Sequence, residues 1–147
     1  MINDNLKNNL KNSELAIEFV DFPFLNFSKQ RWTDTTYYAA LLLRPEWKEP
    51  KMVRLFDKRQ LEELLGKNVS REVLANALYS RGGGNVPDVS KKVSKELYKL
   101  VWQPLDSLLQ GVKTIYYSPS GLLHQLNLSA IPVNDSLTLG EKYDMYR

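Results

Sequence analysis

Cysteine is absent from this 147-residue chain, and histidine occurs once, at position 124. The first absence excludes disulfides, thiolate metal sites and a thiol nucleophile supplied by these residues. The second leaves any histidine general base or triad with His124 as its one candidate. Long hydrophobic runs are missing too: no apolar stretch approaches the roughly 20 residues that span a bilayer. Met1 to Asn12 is polar and lacks the apolar stretch of a signal peptide. A cytoplasmic location and no membrane contact are therefore expected. Neither sign of charge dominates, since 20 basic and 17 acidic residues leave a net charge of +3. That is too mild to call for nucleic acid. The signs also alternate, as in Lys48-Glu49 and in Lys58-Arg59 before Glu62-Glu63, which is the pattern of a solvated surface.

What is present suits one soluble domain over 1–147 with a real core, at 43% hydrophobic and 25% charged residues. Ile2, Leu6 and Leu10 recur every four residues and predict a short amphipathic helix. Glu14 to Val20 alternates, with Leu15, Ile17 and Phe19 on one face, and predicts a strand. Residues 21–34 read as a connection between strands, or a wide hairpin, whose aromatics (Phe22, Phe24, Phe27, Trp32) tuck against the sheet. Thr35 to Leu43 is apolar on both alternating faces, which predicts an interior strand covered above and below. Lys51 to Phe56 follows after a short turn, so it should pair antiparallel with its predecessor.

Asp57 and Gln60 have capping-box spacing for a helix carrying Leu61, Leu64 and Leu65 and stopping at Gly66. A further helix is predicted from Ser70, with Val73, Leu74, Ala77 and Leu78 inward. Gly82-Gly83-Gly84 then reads as a flexible connector, because no strand precedes it and no Gly-Lys-Ser/Thr follows. Val93, Leu97, Leu100, Val101, Leu105 and Leu108 form a helical stripe opened by Ser90 or Ser94 and ended by Gly111. Pro104 removes a backbone donor inside it, so a kink or restart is expected there. Val112 to Tyr117 reads as an interior strand parallel to an earlier one. Ser118-Pro119-Ser120-Gly121 has turn chemistry, Leu122 to Leu128 is read as its hairpin partner, and Lys142 to Arg147 as a last strand. At least five strands are expected.

Chemistry is thinly signalled. Alternation places His124 with Leu122, Leu126 and Leu128, which predicts a packed ring. Ser118 and Ser120 lie nearby without a Gly-x-Ser-x-Gly elbow. The acids are scattered and no second His or Cys joins them, so no metal site, cofactor site or catalytic residue is assigned. Lys29, Arg31, Trp32, Lys91, Lys92 and Lys95 are the residues from which a basic, base-stacking surface would be built. The more ordinary reading is that the rings serve the core and the lysines solvate helix faces.

Taken in order, Glu14-Leu15-Ala16-Ile17-Glu18-Phe19, Tyr37 to Leu43, Leu97 to Leu105 with its Trp102-x-Pro104 break, Tyr116 to Ala130 with its Ser-Pro-x-Gly-x-Leu turn, and Tyr143 to Arg147 resemble the N-terminal half of a CHAT domain. This is the caspase- and separase-like module often attached to tetratricopeptide repeats. The resemblance implies an α/β fold, a mixed sheet flanked by helices, forming the N-terminal portion of a caspase-like sandwich. It implies a bacterial parent of the cysteine-peptidase clan, of which this chain would be the noncatalytic part. The family's catalytic histidine, in a His-Gly setting, and its later cysteine match no position here, and His124 is not the matching histidine. The start at Met1 and the end at Arg147 lead to the expectation of an excised piece. Its role would be to support the protease half and the binding of substrate or partner. The alternative is a free-standing protein-interaction module without protease activity. Expected partners are protein: the tetratricopeptide repeats, the catalytic half, or a peptide substrate. Self-association is also expected, through the C-terminal strand or the helix bearing Leu97 to Leu108, with Met145 and Tyr146 near the contact. Nucleic acid is not.

Overall fold

Two long strands, β1 (Glu14–Asn26) and β2 (Arg31–Leu43), pair antiparallel and organise the molecule. The structure, a computed structural model, describes residues 4–66 and 88–147. The helix expected from Ser70 and the Gly82-Gly83-Gly84 connector lie outside the described residues, as does Ile2. β3 (Lys51–Asp57) joins β2 antiparallel, β4 (Thr114–Ser118) joins β1 parallel, and β5 (Asp144–Tyr146) joins β4 parallel. The order β3-β2-β1-β4-β5 makes a mixed five-stranded sheet. Both strands expected to be interior, β2 and β4, are so. β2 is buried on both faces from Tyr38 to Leu43 apart from a half-buried Leu41, whereas β4 keeps the Thr114/Tyr116 face half open.

One face of the sheet carries the core. Leu15, Ile17 and Phe19 of β1, Tyr38, Ala40 and Leu42 of β2, Phe56 of β3 and Ile115 of β4 alternate onto it. The helices α2 (Lys58–Gly66) and α3 (Asp88–Leu97) close over them with Leu61, Val93 and Leu97. Asp57 opens α2 as its composition predicts: its carboxylate accepts the Arg59 N–H, and Gln60 Oε1 accepts the Asp57 N–H, each at 2.9 Å. On the opposite face Leu10, which follows α1 (Asp4–Asn9), forms a small second cluster with Ala16 and Leu43.

Pro104 has the effect expected of it, by a particular route. The helix continues from α3 as a π-helical turn, Tyr98–Trp102, in which the Gln103 N–H reaches back to the Tyr98 carbonyl. It then tightens to a 3-10 segment, Gln103–Leu108, with Pro104 in the first turn where no N–H is needed. These changes of winding keep Val101, Trp102 and Leu105 all fully buried. Gly111 follows with φ of +76°, a left-handed stop that glycine adopts without strain. Arg44, just past β2, ties the end of this segment to the sheet by donating from Nη1 to the carbonyls of Gln110 (2.8 Å) and Leu108 (3.3 Å).

Residues 21–34 form the hairpin: β1 and β2 run on through them to a turn at Phe27–Gln30, with a bulge between Pro23 and Leu25 that hides the alternation from the sequence. Two expectations are corrected. Leu122 to Leu128 is not a strand but a pair of 3-10 turns, Gly121–Gln125 and Leu128–Ala130, which bury Leu123, Leu126, Leu128 and Ile131. The last strand begins at Asp144, not Lys142, after a helix α4 (Leu139–Lys142) that a Thr138/Glu141 capping box opens.

Gly121 decides the 3-10 turn that replaces the expected strand. Its φ is +53°, and a Cβ there would run into the Tyr38 hydroxyl. That hydroxyl accepts the Leu122 N–H at 2.9 Å, and its ring stacks on Phe56 at 4.8 Å. Gly121→Ala should therefore lower stability by about 2–4 kcal/mol, from backbone strain and overpacking together. Denaturant titration measures it. Adding Tyr38→Phe removes the obstructing oxygen, so the double variant should lose less than the sum of the two single ones.

Candidate functional site

Ligands of open α/β sheets bind beyond the carboxyl ends of the parallel strands, and here β1, β4 and β5 bring together the few reactive side chains. The Ser120 hydroxyl is hydrogen-bonded to the Asp21 carboxylate. His124 is exposed, contrary to the packed ring expected, because the 3-10 turn rotates it outward while Leu123 and Leu126 take the interior positions. Its Nδ1 lies 2.8 Å from Arg147 Nη2. A guanidinium has only donors, so Nδ1 accepts and the neutral ring carries its proton on Nε2. Tyr117 stands next to this pair: burial pushes its phenol up, and the Arg147 charge opposes the rise.

These groups do not assemble a nucleophile. Ser120 bonds a carboxylate and His124 bonds a guanidinium, and among the described residues no hydrogen bond joins Ser120 to His124. The base-to-nucleophile contact that covalent catalysis uses is not formed. Among the described residues, no three of His, Cys, Asp and Glu lie close enough to hold a metal ion. The purified chain should turn over neither peptide nor ester substrates in a steady-state assay. Since His124 is exposed, His124→Ala should change the unfolding free energy by less than about 0.5 kcal/mol.

A second polar feature lies at the opposite, amino ends of β4 and β5. A shallow groove of about 390 Å³ is lined by Asp106, Leu109, Gln110, Gly111, Val112, Lys142 and Tyr143. Behind it the Tyr98 hydroxyl donates to Asp106 Oδ2 at 2.6 Å. Burial, then this bond and the negative charge of Asp106, push the Tyr98 phenol well above its ordinary value near 10. A raised value favours the neutral phenol in the folded state, so its contribution is complete below about pH 10 and is lost as pH rises through the raised value. Tyr98→Phe should lower stability at neutral pH by about 1–2 kcal/mol. It should also flatten the loss above pH 10 seen when unfolding is followed against pH.

The residues named for a basic, base-stacking surface are only partly gathered. Lys29, Arg31 and Trp32 share the far end of the β1–β2 hairpin, while Lys92 and Lys95 belong to α3; the Lys91 side chain lies outside the described residues. The aromatics do not tuck against the sheet as expected. Phe27 is 82% and Trp32 65% exposed, and Phe22 and Phe24 are exposed as well. Beyond Glu18 of β1 the ladder to β4 has ended, and β3 reaches β2 only as far as Tyr37, so the hairpin projects as a two-stranded arm. Composition announced the rings; their exposure depended on where neighbouring strands stop. Compared with family models, with curated proteins and with solved structures, the chain matches none.

Proposed function

We propose that this chain is a noncatalytic protein-binding subdomain, the N-terminal part of a CHAT-type protein, whose sheet receives a further strand along β5. The observation that carries the reading is the edge itself. β5 is three residues long, pairs parallel with β4, and has no partner along its outer side among the described residues. An open strand edge is a template for another segment of chain. In this reading the α/β fold is the N-terminal portion of a caspase-like sandwich from a bacterial cytoplasmic protein. The added strand comes from a catalytic half, and substrate or repeat segments are bound alongside.

Ser120, Asp21, His124 and Arg147 would then shape the rim next to that half without reacting. The reading frame beyond codon 147 is the test, expressed together with this chain. A His-Gly and a later Cys, with amidolysis abolished by Cys→Ser and slowed amide exchange at residues 144–146, is the expected result. A frame without them, and β5 amides that still exchange freely, would move the assignment to a free-standing interaction module.

A further inference from the structure

We infer that two copies of this chain exchange their β1–β2 arms, each arm tip seating in the groove between α2 and α3 of the other copy. The arm is a cost to a molecule that stays alone. Four of its rings are exposed, and from Phe22 to Thr33 it carries Lys29 and Arg31 and no acid. Its tip is apolar on both sides: Phe24 packs edge-on against Tyr37 at 5.4 Å, while Trp32, paired with Leu25, faces the other way. A tip apolar all round fits into a groove better than onto a flat face.

The groove has the complementary chemistry. It measures about 370 Å³, is floored by Leu64 and Leu100, and is edged by Gln60, Glu63 and Glu96. Apolar floor meets Phe27 and Trp32, and acidic rim meets Lys29 and Arg31. Glu96 already takes a 3.4 Å contact from Lys99, but a surface pair of that kind contributes little and can be exchanged. The groove is not filled by the chain's own arm, since Phe27 and Trp32 are left exposed. Reciprocal exchange about a two-fold axis uses both arms and both grooves and closes at two copies. Lipid or nucleic acid would rely on the same two cations alone, few against the six to ten phosphate contacts of a typical nucleic-acid binder. Arm exchange does not depend on whether β5 receives a further strand.

Sedimentation velocity over about 1–200 µM chain tests this, a span suited to a small reversible interface. A monomer–dimer equilibrium is expected. Phe27→Ser with Trp32→Ser should raise the dissociation constant at least tenfold while circular dichroism stays unchanged, because both side chains are exposed. Lys29→Glu with Arg31→Glu should do the same, as should Glu63→Lys with Glu96→Lys. An equimolar mixture of one variant carrying both pairs of changes with the unchanged protein should not dimerise across species. Mixing a chain with only the arm reversed and one with only the groove reversed should restore both arm–groove contacts, one native and one with its charges exchanged, and recover heterodimer. A chain monomeric at the top of the range, a dimer indifferent to the tip substitutions, or no recovery on mixing overturns the inference. So does a monomer that loses binding to phosphatidylglycerol vesicles or to a single-stranded oligonucleotide with the same tip substitutions, which would give the arm to lipid or nucleic acid.

Discussion

Over Ala16–Glu18 the backbone of β1 is paired on both edges, to β2 on one side and to β4 on the other; past Glu18 only the β2 side continues. That single change in pairing divides the molecule into a sheet body and an arm. It also explains how proline enters a long strand. Pro23 lies where β4 no longer borders β1, so its missing N–H costs no ladder bond on that side. The bulge that follows and the left-handed Gln30 (φ of +49°) in the turn are likewise confined to the part of the hairpin free of other strands.

The body is asymmetric in the other direction, with nearly all buried apolar side chains on one face. A single helical layer must therefore deliver an almost continuous apolar surface, including Val101, Trp102 and Leu105, which an unbroken α-helix interrupted by Pro104 would not present in this way. Passing from α to π to 3-10 winding resolves the conflict between the proline and the core, and Arg44 holds the end of the segment through its carbonyls. Tyr38 does the corresponding work between sheet and loop, with its ring on Phe56 and its hydroxyl on Leu122.

Functionally the same division separates two kinds of surface. The carboxyl ends of the parallel strands hold polar pairs, Ser120 with Asp21 and His124 with Arg147, each partner occupied by the other. The arm holds rings and cations. Among the described residues neither collects the base and nucleophile of a hydrolase; one lies beside the outer edge of β5 and the other at the end of a ribbon.

Much of the architecture was legible from local chemistry. The alternation of Leu15, Ile17 and Phe19, the doubly apolar Tyr38 to Leu43, the Asp57/Gln60 box and Gly111 each state their element, because the forces responsible act within a few residues. Residues 122–128 misled because Leu122, His124, Leu126 and Leu128 satisfy a period of two as well as a turn does, and the left-handed Gly121 against Tyr38, distant in the chain, chooses between them. The reactive groups were visible as residue types, and His124 was the evident candidate, yet its exposure was not. By itself, then, the sequence determined the central parts of β1 to β4, the Asp57/Gln60 cap, the break at Pro104 and the lack of a thiol, all consequences of side-chain type and spacing; Ser90 and Ser94, read as caps, lie inside α3. Tertiary structure alone decided which rings face water, which way His124 points and where β1 loses its second neighbour, since each depends on the place at which a segment far away in the chain stops.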